Sequence, residues 1–466
     1  MNKQLGDGVA VRLNGVWHDA GVAGRDVVKN ERWGIVPSVA FGLNSATQVV
    51  LSYYHLETDD IPDTGIPYDN PTFRPRTDGR ARVLQVGDGS PVKVDRSTWY
   101  GLKNRDFRED TADIGTIKLD RDFGGGLALR NTLRYAQTGQ DYVWTQPDDS
   151  QGNIYYGLVY RRQNNRVTEL QTIANQTDLY GSFTTGSLTH NFSTGVEFSR
   201  EQGENDSYAL TLPTGAASCT AAAIAAFYCT DLNNPNPNDA WAGVMTRNNN
   251  PSNSRNVTKS AYLSDTTDLS SEFQLNLGLR FDRYESKFTS AASTAAATPG
   301  VRSIFKREDD LFNYQVGLNY KPTRDGSFYA SYATSSTPTG NALAQGSDPS
   351  ALSSAVNANL KPEKNKTVEV GTKWSLFDEA LLATAAIFYT ETQNSRITLQ
   401  DIPSPWRVRS GCGVSSWAWP ARSPTSGKSS AAIPIWTASW SRVAAMPRRQ
   451  VDLVLQRYPA IDLATP

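Results

Sequence analysis

The feature that most limits what this chain can become is an alternation at residues 273–284, FQLNLGLRFDRY. Phe273, Leu275, Leu277, Leu279 and Phe281 fall on one side of an extended strand. Gln274, Asn276, Gly278, Arg280 and Asp282 fall on the other. Period-2 hydropathy of this length places one apolar face against lipid or a core and one polar face in water. It is also long enough to cross the hydrocarbon layer as a tilted strand, which takes about 9–11 residues.

The pattern recurs. Val9, Val11 and Leu13 alternate with Ala10, Arg12 and Asn14; Val49, Leu51 and Tyr53 alternate with Gln48, Ser52 and Tyr54. Residues 113–119 read as a weaker strand, and Pro37, inside another, predicts weakened pairing there. We count about thirteen such segments before residue 398. Their connections alternate in length. Short turns fall at 43–46, 122–126, 185–188, 269–271, 323–326 and 377–379. Long stretches fall at about 18–29, 58–108, 140–165, 201–256, 287–306 and 337–364, by the turn and polarity signals of the chain. Long loops confined to one end predict an antiparallel transmembrane β-barrel. Tyr53, Tyr135, Tyr284, Tyr332, Trp374 and Tyr389 lie near strand ends, as an interfacial aromatic girdle would.

Composition removes other classes. No run of 18 apolar residues occurs, so no helical span is expected. The mean hydropathy of −0.48 is compatible with strands whose other half faces a wet lumen. A net charge of −1 offers no basic footprint for nucleic acid. His18, His55 and His190 lie far apart without ligand spacing, Asp59-Asp60 reads as a solvated pair, and Gly124–Gly126 reads as turn chemistry. No enzyme, metal centre or covalent cofactor is expected. Cys219 and Cys229 share a polar loop: a disulfide would suit an oxidising compartment, and two free thiols are the alternative. No apolar h-region follows Met1, so a signal peptide is expected to be missing from this chain.

Several stretches resemble TonB-dependent outer-membrane siderophore receptors of the catecholate type: residues 51–71, LSYYHLETDDIPDTGIPYDNP; 99–110, WYGLKNRDFRED; 175–179, NQTDL; 195–201, GVEFSRE; and 359–374, NLKPEKNKTVEVGTKW. The resemblance covers about residues 1–398 and implies a plugged barrel of about 22 strands. It implies a bacterial outer-membrane protein, contacting lipid, that binds ferric siderophore and imports it with energy relayed through TonB. Against that pattern no stretch of this sequence is expected to correspond to the plug domain or its TonB-contacting segment. Residues 1–401 therefore read as a partial receptor barrel, about 13 strands of the family's 22, an open sheet expected not to transport by itself.

A ferric catecholate is a bulky anion with aromatic faces and favours cations and rings at the mouth. The candidates are Trp99, Tyr100, Arg105, Tyr142, Trp144, Tyr156, Arg161, Arg162 and Trp241. Residues 402–466 lose the alternation and carry five of the eleven Trp, with eight basic residues against two acidic ones. They read as an aberrant, frameshifted tail and no independent domain. Reading residues 406–445 one base out of phase permits a sequence resembling the family's next two strands. The alternatives are a passive porin-like outer-membrane channel and a secreted carbohydrate-binding or hydrolytic β protein.

Overall fold

A computed structural model describes residues 1–69, 89–210, 217–338, 361–377 and 381–394, and the backbone of 410–418 and 439–442. It is an antiparallel meander. Its strands are β1 (Asn2–Gly6), β2 (Val9–Val22), β3 (Arg25–Phe41), β4 (Thr47–Ile61), β5 (Phe107–Gly124), β6 (Leu127–Asp148), β7 (Leu158–Thr185) and β8 (Leu188–Asp206). An insertion follows, holding β9 (Tyr208–Leu210), α1 (Ala221–Ala225), β10 (Cys229–Asp231) and β11 (Met245–Arg247). The meander resumes with β12 (Ser252–Asp268), β13 (Phe273–Thr289), β14 (Ile304–Tyr320), β15 (Gly326–Thr337), β16 (Glu363–Leu376) and β17 (Leu381–Gln393). Strands β18 (Ser410–Ala418) and β19 (Ser439–Arg442) add to its far side.

Each strand of the meander pairs with its neighbour in the chain, and β12 pairs with β8 across the insertion; within the insertion β9 pairs with β11, and β10 pairs with β7. Among the described residues β1 and β19 carry no register closing one edge on the other, so the barrel wall is open. At the short-turn rim, Gly124, Gly125 and Gly126 take φ of 78°, 62° and 82°, which lets β5 reverse directly into β6. At Pro37 the β3–β4 register skips from Ile35 to Ser38, because proline has no amide hydrogen for the ladder.

The two faces differ in kind. On β13, Leu277, Leu279 and Phe281 are 42–49% exposed, while Asp282 on the opposite face is 8% exposed. Val49 and Leu51 on β4, Ile117 on β5, Leu133 on β6, Val196 on β8 and Phe312 on β14 share the apolar face. A water-soluble protein rarely leaves so large a contiguous apolar surface open; a lipid-facing band requires it. Tyr53, Tyr135 and Tyr389 lie on that band and are 43–50% exposed. Tyr284 departs from the expected girdle. It is two residues from Asp282, so alternation turns it to the polar face, where it is 6% exposed.

Two expected loops are strand instead. A turn at residues 23–24 joins β2 to β3 where a loop to residue 29 was predicted, and β6 and β7 continue through most of 140–165. β7 alone is 28 residues long, far beyond what a bilayer needs. Above the lipid the hydropathy constraint lapses, while ladder hydrogen bonding can continue. Alternation therefore marks the membrane-level part of a strand and misses its extension. The two hydrophobic clusters among the described residues lie against this extension: Tyr160, Cys219, Ala223, Tyr228 and Cys229 in one, Tyr100, Val159 and Leu232 in the other.

Candidate ligand site at the long-loop rim

The tops of β3 to β7 form a tall wall. Its register aligns Asn30, Asp60, Arg108, Tyr142 and Arg166 in one cross-strand row on the polar face. One step higher, Trp144 faces Asn164 and Gln146 faces Arg162. Tyr142 and Trp144, two residues apart on one strand, stack with ring centroids 4.1 Å apart and planes 10° apart. A cavity of about 480 Å³ opens beside them, lined among others by Asn30, Asp60, Thr64, Arg108, Trp144 and Asn164.

Charge in this cavity is mostly compensated. Arg108 donates through Nε to Asp110 at 2.8 Å. Asp63 takes a two-pronged bond from Arg25 at 2.8 and 2.6 Å. That guanidinium and the Gly65 amide hold the Asp63 carboxyl below the usual carboxylate range, against a partial burial that opposes them. Arg25 also donates to the carbonyls of Arg96 and Thr98, at 2.7 and 2.6 Å, and so clamps two stretches of the 62–106 connection to the upper end of β3.

The other face of the extension is covered. Val143 and Thr145 on β6 are fully buried, beneath a cap built from residues 98–106 and 217–241. Arg161 is its hub. The side chain, fully enclosed, forms an ion pair with Asp239 at 2.7 Å and donates to the carbonyls of Tyr100 at 2.9 Å and Asn236 at 2.7 Å. A buried charge is tolerable only when paired and saturated with hydrogen bonds, as here. Arg105 bonds Asp106 at 2.8 Å and Thr145 at 2.5 Å, and lies 5.2 Å from the Trp241 ring centre. Cys219 and Cys229 are joined by a disulfide, with Cα atoms 5.7 Å apart. The Cys219 amide donates to Asn153, whose own amide donates to the Ala217 carbonyl. The Tyr100 hydroxyl donates to the Leu232 carbonyl at 2.8 Å; burial pushes that phenol up to about 12, so it remains a donor at neutral pH.

The nine residues expected to meet ligand are thereby divided. Tyr142, Trp144 and Arg162 stand on the polar face, where Tyr142 is 5% exposed beneath Trp144. Trp99, Tyr100, Arg105 and Arg161 are each at most 4% exposed and are consumed in holding loops together. Trp241 is half-buried in the cap against Tyr228, and Tyr156 sits at the 149–157 tip, edge-on to Tyr155. The division has one cause. An arginine or aromatic in a polar loop has the same composition whether it faces solvent or anchors a fold. Asn30, Arg108, Asn164 and Arg166 carry no signal in the sequence, and Asp60 reads there only as half of a solvated pair, because only inter-strand register brings them together. Parity along β6 does carry a signal for Trp144, which shares the polar side with Arg134 and Gln140.

A β-sheet with an apolar outer band, tight turns at one rim and a built-up opposite rim is the wall of an outer-membrane-type barrel. Residues 41–413 match the family described as TonB dependent receptor-like, beta-barrel. The chain belongs to this family. It is 38% identical over 407 residues to the probable TonB-dependent siderophore receptor PiuA of Acinetobacter baumannii, covering 85% of this chain and 52% of that protein. It is 33% identical over 419 residues to the catecholate siderophore receptor Fiu of Escherichia coli K12, covering 84% and 52%. The crystal structure of the siderophore receptor PiuA superposes with a TM-score of 0.75 at 32% identity, over 92% of this chain and 63% of that one. The closed form of the ferric-catecholate import receptor Fiu superposes with a TM-score of 0.74 at 29% identity, over 91% and 60%. The chain thus spans about half the length of the curated relatives it matches. These relatives are receptors and transporters by name, not enzymes.

Proposed function

We propose that the protein to which this barrel belongs is a bacterial outer-membrane receptor that binds a ferric siderophore, of catecholate type, at the long-loop rim and imports it with TonB-relayed energy. The observation that carries this reading is the similarity to siderophore receptors over more than four-fifths of the chain. The rim supports it chemically. A stacked Tyr142–Trp144 pair beside Arg162 and Arg166 suits a ligand with ring faces and negative charge. Residues 1–401 supply the partial barrel, and we read 402–466 as a tail translated out of frame, which resequencing of the locus tests.

The functional test is retention of ferric catecholate by outer-membrane vesicles carrying the full chain. Saturable binding is expected, about 10-fold weaker in Trp144→Ala and Arg162→Ala, since one ring contact or charge pair contributes about 1.4 kcal/mol. Absence of saturable iron retention in vesicles holding correctly inserted protein overturns the reading.

A further inference from the structure

We propose that the rim cavity beside Trp144 receives a neutral, hydroxyl-rich ring of the ligand, a sugar-like unit, and not its anionic iron-binding part; this rests on the siderophore reading above. Three observations converge. First, the side-chain amides of Asn30, Gln146 and Asn164 line the cavity and make no hydrogen bond to the described protein. The Thr64 hydroxyl, also in its wall, is buried without a partner. Each amide offers both a donor and an acceptor, which matches hydroxyl groups and not a single charge sign. Second, the charge that remains is negative. Arg108 is taken by Asp110 and Asp63 by Arg25. Asp60 accepts from the Glu31 amide at 3.1 Å and has no ion pair among the described residues. Arg32 and Arg108 lie near enough to favour its charged form but neither forms an ion pair with it, so an anion entering there still meets a carboxylate. Third, Trp144 is held flat by Tyr142 beneath it and by the ladder to Asn164. It presents a rigid apolar platform on which the C–H face of a saturated ring or an aromatic ring can lie.

The anionic part then falls outside the cavity, on the side of Arg162. That side chain is 60% exposed, and its one ion pair among the described residues, to Asp148, is long at 3.5 Å. The site is thus divided by charge, with a neutral pocket and an adjoining cation.

The test uses the full chain in detergent, with methyl β-glucoside and 2,3-dihydroxybenzoate as separate probes and tryptophan quenching as readout. Trp144→Phe identifies the quenched ring. The glucoside is expected to bind at least ~10-fold more tightly than the benzoate, and Asn164→Ala to weaken it ~10-fold. Asp60→Asn should raise benzoate binding ~10-fold relative to glucoside binding. Unchanged heat-modifiable migration of each variant shows that it is folded. Tighter benzoate than glucoside binding, or indifference to Asn164→Ala, overturns the proposal. A parallel arm measures ferric complexes of a catecholate and of its glucosylated counterpart. If both bind alike, the divided site is wrong while the receptor reading stands. If neither binds, the receptor reading itself fails.

Discussion

β6 passes through two environments, and its outward face shows both. At membrane level Leu133 and Tyr135 point out, Leu133 partly exposed and Tyr135 48% exposed. A few residues higher, on the same face of the same strand, Val143 and Thr145 are fully buried. Lipid covers the first pair in a bilayer; protein covers the second. Apolar residues on the lower outward face need no partner in the chain. The upper ones need the cap, and the cap needs Arg161, the disulfide and the Arg25 clamp. One strand therefore has a lower half stabilised by its solvent and an upper half stabilised by tertiary contacts. The proposed ligand wall rests on the second kind.

The comparison breaks most decisively at Arg161. Arg161→Ala leaves Asp239 and two loop carbonyls without their partner and should cost about 3–5 kcal/mol within the cap. Limited proteolysis should then cut within 217–241 while the membrane-level strands stay resistant. Equal resistance there would show that the cap stands without its hub. Cys219→Ser with Cys229→Ser should cost about 3 kcal/mol. Reductant should reproduce it in the unaltered chain as faster amide exchange in 217–232, with no change in β12 to β14.

The lower half is probed from the lipid side. Leu279→Arg should destabilise the inserted protein by about 2 kcal/mol, and Asn276→Arg, on the polar face, by less than about 1 kcal/mol. Urea titrations in bilayers compare the two; equal costs would sink the assignment of faces. Acid gives the smallest effect. The Asp63 carboxyl is depressed when folded, so its contribution is complete above the ordinary carboxylate value near 4 and fades as pH falls below it. Amide exchange in residues 62–69 should quicken below about pH 4, and Asp63→Asn should remove that step.

Legibility followed the same division. The strand sequence of β13 and the turn at Gly124–Gly126 could be read directly, because lipid outside and water inside impose a period on neighbouring residues. The skipped β3–β4 pairs at Pro37 were legible for an equally local reason, a missing amide hydrogen. The loop expected at 140–165 turned out to be strand because no period marks it once lipid is gone. Trp99 and Arg161 looked like ligand contacts because nothing adjacent in the chain says what they touch.

From the chain alone came the alternation, the faces it implies, the rim that carries the long connections and the family it resembles. These depend on chemistry repeated every second residue. Tertiary structure decided which of the rim's rings and cations are spent as anchors and which stay open. It also decided that Asn30, Asp60, Arg108, Tyr142 and Arg166 share a row. Those residues come from five strands, and only the inter-strand hydrogen bonds determine the register that brings them side by side.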